Sequence, residues 1–221
     1  MGSSLKALAS QLKKNHGFHL IPTFDNGIVP AAILNRRKWN DIDRISHLRS
    51  DSVIVETDLG AIEGPTPCLL ADFNRHHELA IGGSLDLIQP VASAAVEFKK
   101  AKEAVASFGA PVLYTRDLLI LETAIESAAP ALWNRPIGQA LEDRKTFVVF
   151  QVVKAKLSFL FRGSGSAGIN LAAGPLKDLK AAGLNLGWSW RNEATLESKK
   201  EIVIAANLAR YNKSKGRLIA V

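Results

Sequence analysis

The chain has 221 residues, of which 47% are apolar and 22% charged. These proportions exclude disorder along its whole length and suffice for one sizeable core without forcing a second domain. A net charge of +7 points to anionic partners, phospholipid or nucleic acid, without choosing between them, and the single cysteine, Cys68, excludes an internal disulfide and any multi-cysteine metal site and suits a reducing, intracellular setting.

Residues 4–14 place Leu5, Leu8, Ala9 and Leu12 at helical spacing and Lys6, Lys13 and Lys14 on the other side. That pattern predicts a short basic amphipathic helix, capped by Ser3 or Ser4, that lies on a core or on lipid. The opening stretch lacks the continuous apolar core of a signal peptide. No run of 18 apolar residues follows, which excludes a transmembrane helix.

Gly17 ends the helix, and residues 18–23 and 31–34 read as short strands around the turn signal Asp25-Asn26-Gly27. Residues 35–40 are expected to form a loop in which Arg36, Arg37 and Lys38 precede Trp39. Three cations beside an indole suit a solvated charge run, a lipid headgroup layer, or a nucleic-acid base stacked on the ring. Residues 41–45 begin a helix or a strand, Val53-Ile54-Val55 forms a strand, and Gly64-Pro65-Thr66-Pro67 marks a loop.

In the centre, residues 78–88 read as a strand interrupted at Gly82-Gly83. Val91, Ala94, Phe98, Ala101, Val105 and Phe108 then recur every three or four positions, which predicts an amphipathic helix with Lys99, Lys100 and Lys102 outward. Pro111 stops it, residues 112–121 resume extended or helical structure, and residues 127–136, with two prolines and Trp133, read as a connection.

Residues 147–162 and 183–196 alternate with a period of two. In the first, Val153, Ala155, Leu157, Phe159 and Phe161 share a side, with Lys154, Lys156, Ser158 and Arg162 mostly opposite; in the second, Leu184, Leu186, Trp188 and Trp190 lie opposite Asn185, Gly187, Ser189 and Arg191. A sheet with one wet face reads this way, and so does a lipid-facing barrel hairpin with a polar lumen. A flexible Gly-Ser link and a short helix near Leu176 and Leu179 join the two, and strands over 201–211 and 217–221 flank a turn at 212–216.

Catalytic arrangements are weak. The Gly-rich run lacks the Gly-Lys-Ser/Thr ending of a phosphate loop, because Gly174 is followed by Pro175 and Leu176. His76 and His77 are adjacent and His16 and His19 straddle Gly17, spacings that do not present two ligands from one helix face. No catalytic residue, metal or cofactor is assigned, and no enzymatic activity is expected.

Leu12-Lys13-Lys14-Asn15-His16-Gly17-Phe18-His19-Leu20, followed by Ile28-Val29-Pro30-Ala31-Ala32-Ile33-Leu34, resembles the opening of the gasdermin pore-forming domain. Residues 202–211, the Asn-Lys-Ser-Lys-Gly turn and Arg217-Leu218-Ile219 resemble its closing strands. The likeness, to the small bacterial and fungal gasdermins, is spread over most of the chain. It implies an α+β fold with a twisted, mostly antiparallel central sheet and surrounding helices, as a single pore-forming domain over residues 1–221. On activation such a domain oligomerises on acidic inner-leaflet lipid, and two regions, here about 78–121 and 147–196, become transmembrane β-strands of a large barrel. Each arm of the second region meets the roughly 9–11 residues a spanning strand needs, and a closed barrel satisfies every backbone group.

By the same resemblance the lipid-binding residues are Lys6, Lys13, Lys14, Arg36, Arg37, Lys38 and Trp39. The membrane-inserting face is Leu157, Phe159, Phe161, Leu184, Leu186, Trp188 and Trp190. The implied partners are an acidic phospholipid membrane, other copies of the chain, and an activating protease or regulatory protein; no nucleic acid and no cofactor is expected. The implied role is programmed cell death in antiviral defence or self/non-self recognition, with the chain cytoplasmic when inactive and at the inner (plasma) membrane when active.

Two departures stand out. The start, Met1-Gly2-Ser3-Ser4, has no cysteine for the acylation seen in bacterial relatives, and Lys6 replaces the Ser or Thr of a myristoylation signal. No inhibitory segment is expected beyond Val221. A basic nucleic-acid-binding domain is the alternative suggested by net charge and the loop from Arg36 to Trp39, and a soluble ligand-binding domain or enzyme is the third.

Overall fold

The alternating strands of the chain divide between two sheets, and its longest alternating run crosses from one to the other. A computed structural model describes residues 5–21, 27–38, 41–68, 79–80, 101–163, 184–188 and 193–221. The first sheet has eight strands. Its main path runs β1 (Phe18–Leu20), β12 (Ile202–Asn212), β8 (Thr146–Ala155), β2 (Ala32–Lys38) and β3 (Asp41–His47); β13 (Arg217–Ala220) joins β12, β7 (Val112–Thr115) joins β8, and β4 (Glu63–Pro67) joins β7. The recorded pairings of this sheet are antiparallel.

The run Ile202-Val203-Ile204-Ala205-Ala206 is apolar at every position because β12 is covered on both faces, and its first eight residues are buried. On one side Ile33, Val148, Ala209 and Leu218 pack with Leu121, Ile125 and Leu132 of α2 (Leu118–Leu132) and Ile137 and Leu141 of α3 (Pro136–Glu142). On the other, Ile28, Ala32, Leu34, Val149, Val152, Ala206 and Leu208 form a second cluster. Each fully buried Leu, Ile or Val contributes about 1.5–3 kcal/mol by leaving water. α1 (Leu5–His16) lies against β1, with Leu12 fully buried.

Local chemistry sets the helix ends. Asp117 caps α2, its Oδ1 accepting from the amides of Leu119 at 2.7 Å and Ile120 at 3.3 Å. Pro136 opens α3, where it forfeits no helical hydrogen bond. Two residues on, Gly138 is required by close packing, since a Cβ there would stand 2.2 Å from the carbonyl oxygen of Leu132.

The second sheet has five strands in the order β10 (Leu184–Trp188), β11 (Glu193–Ser198), β9 (Leu157–Gly163), β6 (Ala101–Phe108) and β5 (Leu79–Ala80). It joins the first through a ribbon shared by both: β6 pairs β9 in the second sheet, and their continuations β7 and β8 pair in the first. Phe108 is opposite Leu157 and Val112 opposite Lys154, so residues 109–111 face only 155–156, a bulge that redirects both strands. Gly109 donates its amide to the Lys156 carbonyl at 2.8 Å, which holds the two crossings side by side.

Several expectations are corrected. The helix expected to end at Phe108 is strand β6 over its last eight residues, because pairing with β9 outweighs the helical propensity of Ala101-Lys102-Glu103-Ala104. The loop expected over 35–40 is strand through Lys38, paired with β3. Gly64 to Pro67 belongs to β4, a lateral strand on which proline removes no needed donor. Val53-Ile54-Val55 is a bend leading into a 3-10 turn (Glu56–Leu59), with Ile54 anchored in the core. The connection expected over 127–136 is mostly the end of α2, which continues past Pro130 to Leu132. Residues 147–162 form two strands rather than one, and 183–196 contains parts of β10 and β11, paired with each other. The sequence expectations over 81–100, 164–183 and 189–192 lie outside the described residues.

Candidate membrane-facing sheet and basic cluster

Directly opposed residues of antiparallel strands share a face. In the second sheet one complete row therefore runs Leu79, Ala106, Phe159, Leu196, Leu186 across all five strands. The next row on that face is Ala104, Phe161, Ala194, Trp188, and Phe108 with Leu157 lies on the other flank. Every one of these positions is apolar. Between them, on the opposite face, stand the rows Ser107, Ser158, Glu197, Asn185 and Glu103, Arg162, Glu193, with Ala80, Val105, Leu160, Thr195, Gly187 separating the two. The sheet thus has one face that is apolar apart from Ser198, opposite Leu184 at its margin, and one of mixed, largely polar character.

The row is assembled from distant parts of the sequence. β5 and β6 come from the first region singled out above, and β9 and β10 from the second; β6 and β9 are neighbours. Of the stretch 183–196, the residues in β11 pair directly with β9, whereas β10 does not, because β11 stands between β9 and β10. Trp190 lies outside the described residues, as does Trp39.

The basic residues sort differently. Lys6, Lys13 and Lys14 lie in α1, and Arg36, Arg37 and Lys38 in β2. Lys13 and Arg36 converge on one histidine, His19. Lys13 Nζ is 2.8 Å from His19 Nε2, Arg36 Nη1 is 3.0 Å from His19 Nδ1, and the Val221 main-chain oxygen is 3.1 Å from Nε2. His19 is 7% exposed. Burial, together with Lys13 and Arg36, outweighs the hydrogen bond to Val221 and pushes its pKa down to about 4. Partial burial and the charge of Arg36 likewise hold the Lys13 ammonium below its ordinary value. The alternation of charge and apolar residues around Gly17 gave no sign of this meeting, which depends on β1 and β2 reaching the same side of a sheet whose path places β12 and β8 between them.

Elsewhere, a cleft of about 570 Å³ runs between the end of α3 and β12, lined by Glu142, Asp143, Arg144, Arg210 and Tyr211 among others. Its nearest ordered chemistry is structural: Lys213 pairs with Glu142 and sits 5.2 Å from the centre of the Trp133 ring. Among the described residues no group of three His, Cys, Asp or Glu side chains is placed to hold a metal ion. No helix among the described residues is long and apolar enough to cross a membrane.

A bacterial gasdermin from Bradyrhizobium tropiciagri is similar in structure over 97% of this chain and 90% of its own, with a TM-score of 0.52 and 14% sequence identity. The likeness is one of fold: the chain has a gasdermin-like α+β fold with a mostly antiparallel eight-stranded sheet. No family model and no curated protein matches the sequence.

Proposed function

We propose that this chain is a pore-forming protein that oligomerises on acidic membranes and inserts strands of its second sheet as part of a β-barrel, killing the cell that carries it. The carrying observation is the row Leu79, Ala106, Phe159, Leu196, Leu186, apolar from one side of the second sheet to the other. A barrel wall needs lipid-facing positions that alternate with lumen-facing ones on every strand, and the opposite face, with Ser158, Glu197, Glu103 and Arg162, supplies the second set. The similarity in fold to a bacterial gasdermin supports the same reading.

Lys13, Lys14 and the cations of β2 would make the first contact with anionic headgroups, each contributing about 1 kcal/mol near the surface. Strand extension and oligomerisation would follow, because an unclosed edge in hydrocarbon leaves backbone groups unpaired. The test is release of a trapped dye from vesicles of phosphatidylcholine with phosphatidylglycerol. Leakage that tracks ring-shaped assemblies in electron micrographs is expected, and vesicles that stay sealed with bound, assembled protein would overturn the reading.

A further inference from the structure

We propose that Lys156, Lys199 and Lys200 form a headgroup belt: they bind lipid phosphates at the border between the two sheets and so set how deep the second sheet enters a membrane. This inference rests on the proposed function. Three neighbouring strands cross the border at one level. Phe108 pairs with Leu157 in the second sheet and Val112 with Lys154 in the first, so residues 109–111 cross beside 155–156. On the other side Glu197 pairs with Ser158 and Ile202 with Ala155, so residues 198–201 cross beside 156–157. Neighbouring strands lie about 4.8 Å apart, which puts Lys156 next to the pair Lys199-Lys200.

The change of character at this border is abrupt. Leu157 follows Lys156 directly, Phe108 precedes Gly109, and β11 ends at Ser198 just before Lys199. The apolar rows begin on one side of the line with Phe108 and Leu157 and continue through Ala106, Phe159, Leu196 and Leu186. The three lysines stand on the line itself, and all are exposed. Arg49, Arg116 and Lys213 are engaged in ion pairs, whereas Lys156, Lys199 and Lys200 take part in none among the described residues. Glu201 is the acidic residue of the crossing and leaves it net cationic.

A lysine at a bilayer surface lays its aliphatic stem along hydrocarbon and keeps its ammonium among the phosphates. The belt therefore opposes displacement in both directions. Deeper entry would carry three ammonium groups into hydrocarbon, and shallower entry would leave Phe108 and Leu157 in water. On the first-sheet side β8 and β12 are held by their own long pairing and by both core clusters, so the crossing is also where a strand free to insert meets one that is not. Lys13, Lys14 and Arg36 have a different place, in α1 and β2, and none of them lies on a crossing strand.

The experiment is acetylation of the whole chain by a soluble amine reagent, read residue by residue by mass spectrometry, alone and with vesicles of phosphatidylcholine containing phosphatidylglycerol. Lys156, Lys199 and Lys200 should become about fivefold less reactive on these vesicles and not on pure phosphatidylcholine, while the exposed Lys215, in the turn after the far end of β12, stays reactive. A lysine near an anionic surface is worth about fivefold in binding. The triple variant Lys156→Gln, Lys199→Gln, Lys200→Gln should accordingly release at least tenfold less dye, and the matching triple arginine variant, which keeps the charge, should release it normally. Unchanged lysine reactivity on vesicles that leak, or full leakage by the glutamine variant, would overturn the belt and leave the pore-forming reading standing. Protection of the three lysines on vesicles that stay sealed with bound, assembled protein would support the belt and overturn that reading. Protection by a soluble oligonucleotide but not by vesicles would overturn the lipid assignment.

Discussion

Arg116 and Glu56 form an ion pair that is sealed at one end and open at the other: 2% of the arginine side chain is exposed, against 49% of the glutamate. Arg116 also donates to the Gly60 carbonyl at 2.7 Å, and Glu56 accepts from Arg49 at 2.9 Å. The pair fastens the 3-10 turn to the start of α2. Arg116→Ala should cost about 1–3 kcal/mol, since it removes a buried donor whose partner carboxylate is half in water, and Glu56→Gln about 1 kcal/mol, since a neutral acceptor remains. Urea midpoints with an unchanged slope are the measurement, and wild-type midpoints in both variants would refute the assignment.

The same pair sets an acid limb. Burial raises the Glu56 pKa, but the hydrogen bond and charge of Arg116, helped by Arg49, outweigh it and hold the carboxyl below its ordinary value of 4.5. A carboxyl depressed in the folded state adds stability above 4.5 that is lost as pH falls through the folded value. Stability of the wild type should therefore drop more steeply below pH 4.5 than that of Glu56→Gln, as read from urea midpoints across that window.

Leu186→Asp and Phe159→Asp fall in one row of the apolar face. At the middle of a bilayer a charged residue on the lipid side of a barrel costs up to about 2–4 kcal/mol, with carboxylates at the lower end. Each variant should bind acidic vesicles as the wild type does and release at least tenfold less dye. Ser158→Asp, one position away and on the opposite face, should leak normally; equal loss in all three would show that the face does not matter.

Vesicle binding should weaken with salt, because exposed charges are screened within about 8 Å at physiological ionic strength. Lys14→Gln, at an exposed helical position clear of the His19 cluster, should reduce affinity about fivefold at low salt. Sedimentation with vesicles checks it, and an affinity indifferent to both salt and Lys14 would point to apolar contact alone.

Gly138→Ala tests the packing of α3 on α2. The added methyl would meet the Leu132 carbonyl oxygen and the Trp133 Cα, at 2.2 and 2.7 Å, so backbone must move, at a cost of about 1–3 kcal/mol. A thermal midpoint unchanged within error would mean that the two helices are free to separate.

Some of this was legible in the residues and some was not, for reasons that can be named. α1 was readable because Leu5, Leu8 and Leu12 repeat at 3.6 with lysines between them, and β12 because an apolar run between turn signals has few alternatives. The border between the sheets was not. Val153, Ala155, Leu157, Phe159 and Phe161 keep one parity across Lys156, and both sheets demand the same period of two, so no position marks the change. Strand β6 was hidden by its composition: alanine, lysine and glutamate favour a helix, and only the partners on β9 reveal the strand. The site was half visible. Face sharing within β9 or β10 follows from alternation, whereas the row through Leu196 and Ala106 needs pairings between segments far apart in sequence. The meeting of Lys13, His19 and Arg36 is of the same kind.

The bulge at Lys156 also fixes a length. Thr146 to Gly163, drawn straight through it, would span about 60 Å at roughly 3.3 Å per residue, twice the hydrocarbon thickness of a bilayer. Its first half is clamped from both sides by the two core clusters, through Val148, Val149 and Val152, and on the proposed function it would stay out of lipid. A subunit that commits β9 to the membrane would keep the rest of the ribbon upright above the headgroups. The ring built from such subunits would wear a collar about 30 Å tall, its height set by the ten residues of β8.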